Sequence, residues 1–238
     1  MIRATLFALI ASLAASCAPS ETTTANTVER ASGSVLWAGL RPAAHEHVNR
    51  RLDQIESLSP LQGGVLFVGD SITESAPLDE MFPELQLANH GIGWDTTEGV
   101  QLRLKQITRN TPERLFLLIG TNDTNYTDDP DRISGNIQSI TNALAVAMPE
   151  TELYVVSVLP RGGPGNAVVS GVNQRLRIAA DESPYVYLDL ANALRASNGE
   201  MRPEYSHDNL HLNKRGYAVW KTILHDCVWD GCPNGLSD

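Results

Sequence analysis

Three residues in this chain have the types and spacing that acyl transfer requires. Ser71 follows the apolar run Gly63-Gly64-Val65-Leu66-Phe67-Val68, inside the segment Gly69-Asp70-Ser71-Ile72-Thr73. About 140 residues later, Asp208 and His211 stand three apart in Asp208-Asn209-Leu210-His211. A hydroxyl attacks poorly until a base removes its proton, and the base needs a third group to hold its tautomer. Ser71 is therefore the candidate nucleophile, His211 the candidate base and Asp208 the candidate orienting group.

A Gly lets the chain turn sharply out of a strand. The Ser would then sit at a helix N-terminus, where free N–H groups favour developing negative charge. Read more plainly, Asp70 or Ser71 is only a helix cap. A second block, Asn89-His90-Gly91-Ile92-Gly93-Trp94-Asp95, reads as a Gly-rich turn able to aim backbone N–H groups at an anion. A third, Gly120-Thr121-Asn122-Asp123, ends a very apolar segment. The Asn122 amide there is a candidate donor to an oxyanion. A rival reading takes His207 and His211, four apart with Asp208 beside them, as the core of a zinc site. Pro203 just upstream and the lack of a clear third ligand count against it, so no metal is assigned. His45, His47, His90 and His225 read as surface or packing histidines.

These residues need elements to hold them, and strand and helix patterns alternate along the chain. Val48, Leu52, Ile55 and Leu58 predict a first helix over Pro42 to Leu58. Val65–Val68 and Leu85–Ala88 are predicted strands. Asp95-Thr96-Thr97-Glu98 reads as a capping box opening a helix with Val100, Leu104 and Ile107 on one face. Arg114–Ile119 and Leu153–Val158 are apolar enough for strands covered on both sides. Ile133, Ile137, Ile140 and Leu144 mark a helix between them. Val172, Leu176 and Ala179 mark another, before a last strand at Val186–Leu188 and a helix from Lys214 to about His225. Repeated βα units imply a parallel sheet with helices on both faces and a site at the carboxyl ends of its strands.

At 238 residues the chain suits one domain with a full core. A net charge of −10 argues against nucleic acid as a partner. The N-terminus reads as an export signal: Arg3 is followed by an apolar stretch from Leu6 to Ala15, too short to span a bilayer. Leu13-Ala14-Ala15-Ser16-Cys17 fits a bacterial lipoprotein signal in which Cys17 is lipidated. Simple cleavage near Ala18 is the alternative. The expected organisation is a signal over 1–17, a flexible tether over 18–34 and one domain over 35–238. The product would be a periplasmic or outer-membrane lipoprotein, otherwise a secreted protein, touching a membrane only through its anchor. Cys227 and Cys232 are then left as an even pair, plausible as a disulfide in an oxidising compartment.

Taken in order, the blocks at Ser71, at 91–94, at Asn122 and at Asp208 with His211 resemble the SGNH hydrolases, also called GDSL esterases. Gly91-Ile92-Gly93 with Asp95-Thr96-Thr97, Leu159-Pro160-Arg161-Gly162, and His211-Leu212-Asn213 with Gly216-Tyr217 resemble the branch of platelet-activating-factor acetylhydrolase catalytic subunits and their bacterial relatives. The resemblance implies a flavodoxin-like three-layer α/β/α sandwich with a five-stranded parallel sheet. It implies a cofactor-free Ser esterase acting on acetyl or other short acyl esters of a carbohydrate or lipid. It places an oxyanion hole at the N–H of Ser71, the N–H of residue 94 and the Asn122 amide. There is one departure: the family has Gly at the second of these positions and this chain has Trp94. An aromatic residue does not take a positive φ cheaply, so the turn either accommodates a side chain or weakens the hole. Two other classes follow from the same residues. One is a non-catalytic glycan-binding module, supported by Trp94. The other is an O-acyltransferase using a sugar hydroxyl in place of water.

Overall fold

The computed structural model describes residues 42–232. The expected signal, the tether and the lipidation site Cys17 lie outside the described residues. In chain order the elements are α1 (Pro42–Ser57), β1 (Val65–Gly69), α2 (Ser71–Glu74), α3 (Leu78–Met81), β2 (Leu87–Gly91), α4 (Thr97–Leu102), α5 (Leu104–Ile107), β3 (Arg114–Leu118), α6 (Pro130–Ala147), β4 (Glu152–Val156), α7 (Gly165–Ala179), β5 (Val186–Leu188), α8 (Leu190–Leu194) and α9 (Lys214–Trp229).

The five strands form one parallel sheet in the order β2-β1-β3-β4-β5. This is the flavodoxin-like doubly wound order. Because side chains alternate along a strand, the sheet sorts its apolar residues into two cores. Val65, Phe67, Phe116, Tyr154 and Val156 face one way, under α9. Leu66, Val68, Leu115, Leu117, Leu153 and Val155 face the other, under α6 and α7. The first face is built on stacked rings: Phe67 lies 5.1 Å from Phe116, and Phe116 lies 4.7 Å from Tyr154. Trp220 of α9 meets Phe67 edge-on at 6.3 Å, and Tyr217 stacks on Trp220. The α9 register is thereby fixed from below by aromatic packing. At the far end of α9 a Cys227–Cys232 disulfide turns the chain back toward the sheet, where the Cys232 N–H donates to the Tyr154 hydroxyl at 2.9 Å.

Four sequence expectations need correction. The second strand is not Leu85–Ala88 but Leu87–Gly91, so it runs through part of the block read as a turn. It is an edge strand carrying Asn89 and His90, and main-chain pairing to β1, not an apolar pattern, decides its extent. The helix after it is capped by Thr96, whose hydroxyl accepts from the Gly99 N–H, and not by Asp95. That helix also breaks at Arg103 into α4 and α5. Both changes free Asp95 and Arg103 to form a buried ion pair, Nε to Oδ2 at 2.8 Å. The last helix continues to Trp229, one turn beyond expectation.

Candidate active site

Ser71 is the first residue of α2, directly after β1. The Asp70 carboxylate caps this turn by accepting the Ile72 N–H at 2.9 Å. Asp70 is thus the cap, and Ser71 is left to face outward. With four residues α2 has little macrodipole, so its contribution to the site is the N–H of Ser71 itself. Across the sheet, Gly69 pairs with Gly91, the end of β2. Only glycine fits at 91, because a Cβ there would lie 2.2 Å from the Glu74 backbone nitrogen. That close approach seats α2 against β2 and brings the Gly91–Asp95 turn beside the serine.

His211 and Asp208 come from the loop between α8 and α9. The loop is closed at its neck by a bridge between Ser206 and Leu212 and by the Asn213 N–H donating to the Tyr205 carbonyl at 2.8 Å. Asn213 then caps α9 through the N–H groups of Arg215 and Gly216. Asn209, at φ 60°, makes the bend between the two functional residues, a conformation Asn tolerates. Its carbonyl accepts the Gly162 N–H at 2.9 Å, which anchors the loop to the Pro160–Gly162 segment. The Tyr217 hydroxyl donates to the Ile72 carbonyl at 2.7 Å and locks α9 to the turn that carries the serine.

The resulting geometry is a continuous chain. Ser71 Oγ lies 2.9 Å from His211 Nε2, and His211 Nδ1 lies 2.7 Å from Asp208 Oδ2. Both ring nitrogens of His211 are therefore engaged away from His207, which is inconsistent with the zinc reading of these two histidines. Among the described residues no group of three or more His, Cys, Asp or Glu side chains converges as a metal site. Asp208 Oδ1 accepts from the Ser206 hydroxyl and from the N–H groups of Leu210 and His211 at 2.8–3.1 Å. Partial burial raises the Asp208 pKa, but the His211 ring and these N–H groups outweigh it and hold the carboxyl well below its ordinary value. It is an anion at neutral pH.

Three groups are the candidate oxyanion donors. The N–H groups of Ser71 and Trp94 engage no protein acceptor among the described residues. Asn122 Nδ2 donates to the Asp95 carbonyl at 2.9 Å and retains a second hydrogen. Trp94 sits at φ 71°, so the turn keeps the left-handed backbone that a glycine would adopt, in spite of the indole. The departure seen in the sequence is therefore accommodated at a positive φ, with strain.

Sequence reasoning missed how the turn is held. Glu74 Oε2 accepts the Gly93 N–H at 2.6 Å and contacts His47 Nε2 at 2.9 Å. Arg51, from the same helix as His47, donates to the Gly91 carbonyl at 3.0 Å and to the Asn89 carbonyl at 2.8 Å. Thus α1 and the last residue of α2 brace the turn from outside. His47 is not a mere surface histidine. His90 is a packing residue, which burial and then Arg103 keep neutral, with a pKa pushed down to about 3. His225 is exposed beside Asp226.

Beneath the serine lie three buried acids. Burial pushes the Asp70 pKa up to about 7, with Asp95 and Asp123 adding to the rise. Burial pushes Asp95 to about 6 against the pull of Arg103, and raises Asp123, which is held by Thr97. A raised folded-state pKa costs stability as pH climbs. Below about 4 Asp70 is neutral in both states; between about 4 and 7 the unfolded chain ionises first, so stability falls across that window. Asp70→Asn, which keeps a capping oxygen, is expected to flatten that slope. Its stability relative to wild type should rise from pH 4 to pH 8 by up to about 4 kcal/mol, at about 1.4 kcal/mol per pKa unit. Urea midpoints across this range provide the check, and parallel curves for the two proteins would count against a buried, raised Asp70.

Comparison with known proteins places the chain in a family. The GDSL-like lipase/acylhydrolase family matches residues 67–219. This chain belongs to that family. A platelet-activating factor acetylhydrolase IB subunit alpha2 from Rattus norvegicus is 31% identical over 174 residues, covering 69% of this chain and 75% of the relative. A GDSL-like lipase from Bacteroides thetaiotaomicron superposes with a TM-score of 0.69 at 20% identity, over 78% of this chain and 98% of that one. A catalytic mutant of an acetylxylan esterase from Geobacillus stearothermophilus gives 0.57 at 15% identity, over 72% and 96%. The last two likenesses bear on the fold alone. As a GDSL acylhydrolase, the protein is a carboxylic ester hydrolase.

Proposed function

We propose that this acylhydrolase removes acetyl or other short acyl groups from a carbohydrate or lipid ester by a Ser71–His211–Asp208 mechanism. The observation that carries the reading is the 2.9 Å approach of Ser71 Oγ to His211 Nε2, continued at 2.7 Å to Asp208. The order of events follows from that chain. His211 Nε2 accepts the hydroxyl proton as Ser71 Oγ bonds to the ester carbonyl carbon. The carbonyl oxygen takes the negative charge and accepts from the Ser71 N–H, the Trp94 N–H and Asn122 Nδ2. Asp208 holds the Nδ1 proton and stabilises the imidazolium. His211 then returns the proton to the leaving alkoxide as the C–O bond breaks. Water, deprotonated by His211, attacks the acyl carbon; the acyl–Oγ bond breaks as His211 Nε2 returns the proton to Ser71 Oγ, and the acid is released. The residues involved are side chains and backbone groups alone, so the scheme assigns no cofactor.

Short acyl groups are supported by the alpha2 acetylhydrolase likeness. The Cys17 lipid anchor and export remain part of the proposal, and the Cys227–Cys232 disulfide suits an oxidising compartment. The test is a p-nitrophenyl ester series from acetate to laurate, with and without EDTA. We expect kcat/KM to be highest at acetate, to fall at least about tenfold by octanoate, and to be unaffected by EDTA. Preference for long chains would overturn the short-acyl assignment. Loss with EDTA and rescue by zinc would overturn the mechanism.

A further inference from the structure

Trp94 sits at φ 71°, a backbone conformation that is rare and costly for an aromatic residue. The fold gains nothing visible from it. The residue is 48% exposed, belongs to neither large core and stacks on no other ring among the described residues. Strain kept without internal compensation points to a role toward something bound.

The distribution of exposed apolar side chains sharpens the point. Among the described residues the large ones are Leu58, Trp94, Leu102, Tyr126, Val146 and Ile178. The four aliphatic ones lie in or just after the last turns of α1, α4, α6 and α7. The two aromatic ones lie on the two loops that carry the candidate oxyanion donors. Trp94 is in the turn after β2, and Tyr126, 62% exposed, ends the short 3₁₀ turn that begins at Asn122. The Asn122 Nδ2 bond to the Asp95 carbonyl ties those loops together. Tyr126 also has no ring partner among the described residues, and its backbone alone is held, by the Asp123 carbonyl.

The chemistry of these rings selects a ligand. Each offers a flat apolar face with a polar edge, which matches a sugar ring with a C–H face and a hydroxyl rim. An acyl chain would instead call for a groove lined by aliphatic side chains, and the exposed aliphatics are elsewhere. The base is also open: the side chains of His211 and Asp208 are 43% and 54% exposed, which leaves room for a bulky alcohol half. A net charge of −10 opposes an anionic lipid surface.

We propose that Trp94 and Tyr126 form an aromatic platform that seats the pyranose rings of an O-acylated glycan and presents a ring ester to Ser71. This rests on the esterase reading above and names its substrate class. The full chain and the variants Trp94→Gly, Trp94→Phe and Tyr126→Ala are assayed on acetylated xylo-oligosaccharides and on p-nitrophenyl acetate. The ratio of kcat/KM for the oligosaccharide to that for the nitrophenyl ester is expected to fall about tenfold in Trp94→Gly, mainly through KM. Trp94→Phe should recover most of the ratio, and Tyr126→Ala should lower it in the same direction. An unchanged ratio in Trp94→Gly overturns the platform. So does a selective loss on long-chain nitrophenyl esters, which would make the indole an acyl wall. Calorimetric titration with unacetylated xylo-oligosaccharide separates the two readings. If wild type hydrolyses neither substrate, the esterase reading fails, while about tenfold weaker binding by Trp94→Gly still supports the platform and equal binding rejects it.

Discussion

Ser71→Ala is expected to lower kcat on p-nitrophenyl acetate by about 10⁴–10⁶-fold and to abolish labelling by a fluorophosphonate at this position. The size follows from the role: without the oxygen no acyl-enzyme forms, and only donors and binding remain to help water. The substitution should leave the fold alone. The Ser71 side chain makes its hydrogen bond to His211, whereas α2 is capped by Asp70 and held by Tyr217. Its thermal midpoint should therefore match wild type within about 0.5 kcal/mol of stability. Turnover above about 1% of wild type, with a label recovered on another residue, would displace Ser71 as nucleophile.

The second large effect is at Asp208. Asp208→Asn should reduce kcat by about 10²–10⁴-fold with a much smaller change in KM. The loop already supplies three donors to Oδ1, from Ser206, Leu210 and His211. An asparagine oxygen would stay there, so its NH₂ would face His211 Nδ1. That would force the ring to accept at Nδ1 and carry its proton on Nε2, where it cannot take one from Ser71. Crystallographic or NMR assignment of the tautomer, together with the kinetics, checks this. A variant with nearly full kcat would show that Asp208 holds the loop and does not set the imidazole.

The parts of this site that were legible in the sequence are those where residue type itself is informative. Ser71, Asn122, Asp208 and His211 sit where an apolar strand or loop ends, and few other jobs suit those types in that setting. Three strands were legible for a related reason: β1, β3 and β4 are buried on both faces and are nearly all apolar. β2 was misplaced because its Asn89 and His90 carry no apolar signal and its pairing is a backbone matter. Glu74 and His47 were not legible at all. Their meeting, 27 residues apart, depends on where α1 crosses the edge of the sheet, and an acid on one helix and a histidine on another have no pattern that announces it. At Trp94 the sequence raised two alternatives, a turn that accommodates a side chain or a weakened hole, and could not show that the residue is held at φ 71°.

The 140-residue gap between Ser71 and His211 bears on how the enzyme comes into being. All five strands precede His211 in the chain, so a nascent polypeptide can lay down its complete sheet while still lacking the base. On the proposed mechanism, a chain with its sheet complete but α9 not yet seated, and Tyr217 not yet bonded to Ile72, would hold the serine without its base. Hydrolytic power would then arrive only with the C-terminal segment.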